Sequence, residues 1–238
     1  MVVFKRPFTF LMFILMMGLL MTSCETSEGE PVYIGYEYFG QTEGKWLVYE
    51  VDSTVYDDFL GEVFHYQYQV KEVNAGFLDT LTGNDKMRLE RFFRNNDQDP
   101  WQIKNVWTSQ LTKDKALRTE ENITYVKLSF PLWINPEIAG RGNQWDGNVY
   151  NVKPSQDYII KYLHEPMQLG TLVFDSTLRV LQKDFKTLIG EELQYEIYST
   201  HIGMIRKKYI DLSTDIDGTI VRGVDYSYDL IDYGFESY

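Results

Sequence analysis

Strict alternation of apolar and polar residues is the sequence feature that most restricts what this chain can fold into. Side chains of an extended strand point to opposite faces in turn, so a period of two predicts a strand with one buried face. The clearest example is Glu62–Val73. We predict that the core-facing side of this strand is formed by Phe64, Tyr66, Tyr68 and Val70.

Further extended runs follow one another through residues 32–238, starting with residues 32–39 and Lys45–Tyr56. Turn clusters such as Asp57–Gly61 and Asn95–Pro100 separate them. The chain contains 18 Tyr, 14 Phe and 5 Trp, and aromatic residues favour strands. No stretch has the apolar spacing of a long amphipathic helix. The sequence therefore predicts an all-β fold, a single antiparallel meander curled into a half-barrel or a sandwich-like sheet.

The first 24 residues have the three parts of a secretory signal peptide. Lys5 and Arg6 form a basic start, Phe8–Met21 is an apolar run, and two small residues precede Cys24. The apolar run is shorter than the ~20 residues that a permanent membrane-spanning helix needs. We therefore expect this segment to direct export and not to remain as an anchor.

The end of this segment, Leu20–Cys24 (LMTSC), resembles the lipobox of bacterial lipoproteins. In that family the signal is cut just before the cysteine, which is acylated, for example with palmitate, and becomes the N-terminus. The resemblance implies that Cys24 is the lipidation site. Cys24 is the only cysteine, so no internal disulfide can form. Two or three acyl chains would give stable anchoring where one would not.

The resemblance also organises the chain into three parts. Residues 1–23 are the signal peptide, residues 24–31 are the lipidated cysteine and a short acidic tether, and residues 32–238 are a single β domain. Glu25 does not resemble the aspartate that retains lipoproteins in the inner membrane. The expected location is therefore the outer membrane, in its periplasmic or its surface leaflet.

Two short patterns resemble strands of uncharacterised all-β outer-membrane lipoproteins. One is Tyr38-Phe39 followed by Gly44–Tyr49, and the other is Tyr198 followed by Gly203–Lys207. The proteins of that group tend to be antiparallel sheets curled into a half-barrel or a sandwich. This resemblance supports the all-β prediction and implies no activity.

The charge of the chain restricts its partners. Without residues 1–24 it carries 21 Lys and Arg against 35 Asp and Glu, a net charge of −14. A surface this acidic argues against nucleic acid, which requires a basic face. It also argues against electrostatic attraction to an anionic membrane. The expected contact with the membrane is therefore the lipid at Cys24.

A long segment, Pro131–Pro154, interrupts the rhythm of strands and is expected to fold back on the sheet. The Lys45–Tyr56 run is apolar on both faces, so each face needs a cover. We hypothesise an aromatic groove between this run and the long segment, suited to an apolar ligand, a glycan or a protein partner. The residues predicted to line it are Trp46, Tyr49, Trp145 and Tyr150.

Ser213–Gly218 has two interpretations. Asp215, Asp217 and Gly218 fit three positions of an EF-hand calcium loop, but the bidentate glutamate at its end is missing. The alternative is a hairpin turn with its tight bend at Asp217-Gly218. We expect the hairpin turn, with a calcium site at Asp215 and Asp217 as the weaker alternative.

Catalytic motifs are not evident in the sequence. His65, His164 and His201 lack metal-ligand spacing, no G-x-S-x-G is present, and no cofactor is implied. Carboxylates are too numerous for any pair to suggest a glycosidase. The expected function is a lipid-anchored binding or assembly module of the cell envelope. The alternatives are a hydrolase of envelope or other polysaccharides and a purely structural envelope protein.

Overall fold

The computed structural model describes residues 33–78, 85–135, 137 and 141–236. Residues 33–238 cluster as one compact unit. The first half of the larger unit contains β1 (Lys45–Asp57), β2 (Glu62–Phe77), β3 (Lys86–Arg94), β4 (Gln102–Leu111), β5 (Lys115–Glu120), β6 (Ile123–Ser129) and β7 (Ile134–Asn135). The second half contains β8 (Arg141–Gly142), β9 (Gln144–Asp146), β10 (Asp157–Leu169), β11 (Leu172–Thr187), β12 (Gly190–Ser199), β13 (Gly203–Thr214) and β14 (Ile220–Phe235).

Twelve of these strands form one sheet in the order β6-β5-β4-β3-β2-β1-β14-β13-β12-β11-β10-β9. Each half of the chain is a meander, and the two meanders meet where β1 pairs with β14, from Lys45–Phe235 to Tyr56–Gly223. All pairings in the sheet are antiparallel. The predicted all-β, antiparallel fold class is confirmed.

The two outer strands of the sheet, β6 and β9, approach each other and nearly close it. The amide of Val126 donates to the carbonyl of Gly147 at 2.9 Å, and the indole Nε1 of Trp145 donates to the carbonyl of Val126 at 2.9 Å. Trp145 also packs edge-on against Tyr158, with ring centroids 6.0 Å apart. The long segment after β6 thus folds back on the sheet, as predicted for Trp145, and joins its edges with side-chain and turn contacts.

One end of this sheet is covered by the chain that leads into β1; we call it the closed end. Residues 32–39, predicted to be extended, instead include a short 3-10 helix at Tyr36–Tyr38. Tyr38 and Phe39 are buried in the core, and the Tyr38 hydroxyl is 2.7 Å from Ser176 Oγ. Packing of these aromatic rings across the end of the sheet prevails over the local strand preference of the segment.

The opposite end, which we call the open end, carries the turns after β1, β3, β5, β9, β11 and β13. Here β1, β2 and β11–β14 extend past β3–β6 and β10. The pairing of β2 with β3 stops at Gln69–Arg94, so that among the described strands Glu62–Tyr68 pairs with β1 alone. On the face of β2 that is predicted to point to the core, Val70 is fully buried. Tyr66 lies on the same face but is exposed, because it belongs to the part of β2 that β3 does not cover.

Among the described residues, no helix is long and apolar enough to span a membrane.

The contacts of Trp145 predict its effect on stability. Trp145→Ala should lower the free energy of unfolding by about 3 kcal/mol, because it removes ring packing and the hydrogen bond that joins β9 to β6. Urea unfolding of residues 25–238 measures this change. Trp133→Ala is the matched control, because the Trp133 side chain lies in the same segment and is half exposed. Equal losses in the two variants would contradict the proposed contribution of Trp145 to closure.

Candidate functional site

An aromatic surface lines the inner face of the sheet at the open end. Strand register places its residues in rows that cross β2, β1, β14 and β13. One row is Tyr68, Val51, Tyr228 and Lys207, and the next row toward the open end is Tyr66, Ser53, Tyr226 and Tyr209. Val51 is a fully buried core residue, which identifies this face as the inner one. We call the aromatic residues of this surface the aromatic wall: Phe64, Tyr66, Tyr68, Phe93, Tyr209, Tyr226 and Tyr228.

Rings of the wall contact one another across the strands. Tyr209 stacks on Tyr226 with centroids 4.9 Å apart and an interplanar angle of 6°, and Tyr226 meets Tyr228 edge-on at 5.9 Å. On the other side of β1, Tyr68 stacks on Phe93 at 5.9 Å. Stacked and edge-on pairs at these separations stabilise each other beyond their area of contact. The wall is therefore an ordered surface whose ring positions are set by the sheet.

The wall is half exposed because the shorter strands do not cover it. Beyond the ends of β3 and β4, an open cleft of about 910 Å³ lies beside the part of β2 that pairs with β1 alone. Tyr66, Tyr68 and Phe93 contribute rings to this cleft, and Arg94 and Lys104 contribute cations. A cleft of this size with aromatic rings and a few polar groups has the dimensions of a small-molecule or oligomer site.

Deeper inside the sheet, the wall rests on a buried ion network. Arg91 Nε lies 2.9 Å from Glu72, and Arg118 Nη1 lies 3.4 Å from the other oxygen of Glu72. Lys127 Nζ bridges Glu120 at 3.1 Å and Glu196 at 2.9 Å. A buried charge without a partner is strongly destabilising, and each of these charges has an opposite charge within hydrogen-bond distance.

The network holds the carboxylates of Glu120 and Glu196 ionised. Burial raises the pKa of Glu120, but the charges of Lys127, Lys207 and Arg118 outweigh burial and bring this pKa to about 2. The pKa of Glu196 is likewise lowered against the effect of burial, mainly by Lys127. Such carboxylates serve as charge partners and are poorly suited to donate a proton near neutral pH.

The hydroxyls of Tyr68 and Tyr209 remain protonated at neutral pH. Burial and the neighbouring Tyr228 raise the pKa of Tyr68, and burial together with Asp211 raises the pKa of Tyr209. These two phenols therefore present an apolar ring face together with a neutral hydrogen-bond donor.

The interior below the wall is filled. The two cavities found among the described inner residues have volumes of about 20 and 30 Å³, room for roughly one water molecule each. A ligand larger than a few atoms therefore has to bind outside this packed interior.

The structure does not bring the four residues of the hypothesised groove together. Trp46 and Tyr49 point to opposite faces of β1, because three positions of an alternating strand separate them. Tyr49 is buried inside, where its hydroxyl donates to the carbonyl of Met204 at 2.8 Å. Trp145 lies at the β6–β9 closure, on the far side of the sheet from β1, and Tyr150 is exposed. Uptake of an apolar ligand stays a prediction.

The outer face of β1 is covered by a contact that the sequence did not indicate. Trp46 lies under the ammonium of Lys71, which is 5.2 Å from the ring centroid, and against the backbone of Gly234. Trp101 and Arg94, from the two sides of the β3–β4 turn, stack at 4.3 Å beside it. The aliphatic parts of Lys71 and Arg94, together with the ring of Trp101, thus cover the second apolar face of the strand.

Asp215 and Asp217 lie in the turn between β13 and β14. Their carboxylates accept hydrogen bonds from the amide of Thr219 at 3.1 and 2.9 Å, and Gly218 adopts a left-handed φ of 90°. These are the interactions of an Asp-stabilised hairpin turn. Within the described ranges, no group of three or more His, Cys, Asp or Glu side chains is placed to hold a metal ion. Cys24 lies outside the described residues.

Comparison with known proteins locates two structures of similar architecture. A provisionally assigned exported protein with a YmcC-like fold from Bacteroides fragilis has a TM-score of 0.41 and 8% identity, covering 83% of this chain and 98% of its own. A provisionally assigned lipoprotein from Parabacteroides distasonis has a TM-score of 0.35 and 15% identity, with the same coverages. No family model and no curated protein matches the sequence. Similarity at this level carries no argument about the function of this chain.

The ion network predicts the cost of losing one cation. Lys127→Ala should destabilise the domain by about 3–5 kcal/mol, because it leaves Glu120 and Glu196 buried without their common partner. Chemical denaturation followed by circular dichroism measures the loss. Lys161→Ala, at an exposed position of β10, is the control and should change stability by less than about 0.5 kcal/mol. A Lys127→Ala variant as stable as the control would show that the network does not stabilise the fold.

Proposed function

We propose that this protein is an exported, lipid-anchored component of a bacterial outer membrane whose β domain binds a neutral glycan on the aromatic wall. Export and anchoring are supported by the signal segment and by the lipobox resemblance at Cys24. The observation that carries the binding function is the partly exposed wall itself, with Tyr209 stacked on Tyr226 at one side of β1 and an open cleft at Tyr66 and Tyr68 on the other side.

The chemistry of the wall favours a sugar over a purely apolar ligand. Tyrosine presents a flat apolar ring with a hydroxyl at its edge, and a pyranose presents an apolar C–H face with hydroxyls around its rim. The same rows also contain the polar residues Ser53, Gln194 and Lys207, which can hydrogen-bond to hydroxyls. A pocket for an acyl chain would have aliphatic residues in these positions.

The net charge of the domain favours a neutral glycan over an acidic one. The net charge of −14 for residues 25–238 would repel a polysaccharide rich in carboxylate or sulfate. A neutral chain meets no such repulsion and can lie across several rings in succession. An extended row of partly exposed rings matches an extended ligand better than a compact one.

The hydrolase alternative has no observation in its favour among the described residues. Glu72, Glu120 and Glu196, the buried carboxylates beneath the wall, are each in an ion pair with Arg or Lys. A purely structural role remains the alternative to binding, and the experiment below separates the two.

Replacement of one ring should weaken glycan binding without unfolding the domain. Tyr226→Ala removes the ring that contacts both Tyr209 and Tyr228, and should raise the Kd for the preferred oligosaccharide about three- to tenfold. The measurement is calorimetric titration of residues 25–238 with neutral oligosaccharides of different linkage.

Two further variants interpret that result. Tyr226→Phe keeps the stacking ring and should retain most of the affinity, and Tyr233→Ala, on β14 near the closed end, should bind as wild type. Failure of the wild type to bind any neutral oligosaccharide would leave the structural role as the better explanation. Equal weakening by Tyr233→Ala would place the binding site elsewhere.

The anchor is tested separately. Cys24→Ala should yield an uncleaved precursor that incorporates no radioactive palmitate, because the acylated sulfur and the cleavage signal are lost together. Wild-type protein in the same cells should be labelled and recovered with the outer membrane. Normal processing and release of the variant would exclude Cys24 as the acyl acceptor.

A further inference from the structure

The loops at the open end place large apolar side chains in solvent. Four of these side chains are almost fully exposed, and each lies on a different loop: Phe59 at 93%, Val152 at 103%, Leu188 at 88% and Ile216 at 95%. Turn apices usually carry Gly, Asn, Asp or Ser, so an apolar residue at each of them is unusual. We call these four residues the rim.

Three of the rim residues, Phe59, Leu188 and Ile216, lie on loops that are linked to one another or to the start of β14, and Val152 lies on a loop that is linked to β6. Thr214, at the end of β13, donates its amide to the carbonyl of Ile189 at 3.0 Å and its hydroxyl to that of Leu188 at 3.1 Å. Arg222 of β14 lies 3.9 Å from Asp58, next to Phe59. The turn after β9, which bears Val152, is fixed to β6 by Asn151. The side-chain amide of Asn151 donates to the carbonyl of Thr124 at 2.8 Å.

Exposed apolar residues at this end do not contribute to the core. Each rim side chain is surrounded by solvent in the folded chain as in the unfolded chain, so folding gains no hydrophobic free energy from it. Single protruding side chains on separate loops would each need a matching pocket on a protein partner. A fluid apolar layer accepts all of them without such pockets.

From this geometry we propose that the rim inserts into the surface of a lipid bilayer with zwitterionic head groups, such as phosphatidylethanolamine. The charge around the rim selects this lipid class. Asp57, Asp58 and Glu62 flank Phe59, and Asp215 and Asp217 flank Ile216, so these carboxylates outnumber the cations Lys153 beside Val152 and Lys186 near Leu188. Head groups that end in an ammonium complement these carboxylates, whereas anionic head groups repel them.

The test is co-sedimentation of residues 25–238, without acyl chains, with vesicles of phosphatidylethanolamine and phosphatidylcholine. This fragment contains the compact unit of residues 33–238 with the complete core described above. Wild type should sediment with these vesicles. Each inserted side chain contributes about a tenfold change in partition, so the double variant Phe59→Ser with Ile216→Ser should bind about 100-fold more weakly.

The control pair is drawn from the opposite end. Val173 and Phe235 are also exposed, at 69% and 61%, and the double variant Val173→Ser with Phe235→Ser should sediment as wild type. Part replacement of the lipids by phosphatidylglycerol should weaken binding of the wild type. Tyr226→Ala should still bind vesicles, so that failure of glycan binding and failure of membrane binding are distinguishable.

Three outcomes would overturn the proposal. They are absence of wild-type binding to the zwitterionic vesicles, stronger binding to the anionic ones, and equal loss in the control pair. Self-association in sedimentation velocity that is abolished by Phe59→Ser with Ile216→Ser, without vesicle binding, would assign the rim to a second copy of the chain instead.

Discussion

The pairing of β1 with β14 is the constraint on which the rest of the structure depends. It joins Lys45 to Phe235, so it closes a loop of almost the whole domain, and the entropy of that closure opposes folding. The long ladder between the two strands, together with their inward side chains Tyr49, Val51 and Leu230, offsets this cost. The aromatic wall exists only because this pairing places Tyr226 and Tyr228 next to β2.

The opposite seam is built differently. Between β6 and β9 the sheet is joined by the turn at Gly147 and by the indole of Trp145, with few of the regular ladder bonds found elsewhere. The ion network lies between these two regions and fills the interior with paired charges. Apolar residues could fill such a space at least as stably, so the network is better understood as specifying one arrangement of strands than as strengthening it. With the interior filled, a ligand would find room only on the outside of the packed core.

Much of the architecture could be predicted from the sequence, because strand alternation and turn chemistry are local. The inward face of β2 and the turn at Asp217-Gly218 follow from residues close together in the chain. The wall could not be predicted, because the stack of Tyr209 on Tyr226 depends on register, and the neighbourhood of Tyr66 and Tyr226 depends on the non-local β1–β14 pairing. Alternation did place Tyr226 and Tyr228 on one face, which was the one signal available. The 3-10 helix at Tyr36–Tyr38 was missed because tertiary packing outweighed a local strand preference.

The aromatic wall and most of the rim have one structural cause. The wall and three of the four rim residues arise because β1, β2 and β11–β14 continue past β3–β6, which leaves inward rings uncovered and carries the hairpin turns beyond the packed interior. In the described core, the rings that seal the closed end, Tyr38 and Phe39, are buried, whereas Tyr66 and Phe59 at the other end are exposed. The same residue types thus stabilise one end and contribute little to stability at the other. The apolar surface at the open end stays exposed and is not needed for folding. This end is therefore the one at which a partner would have the most apolar surface to cover.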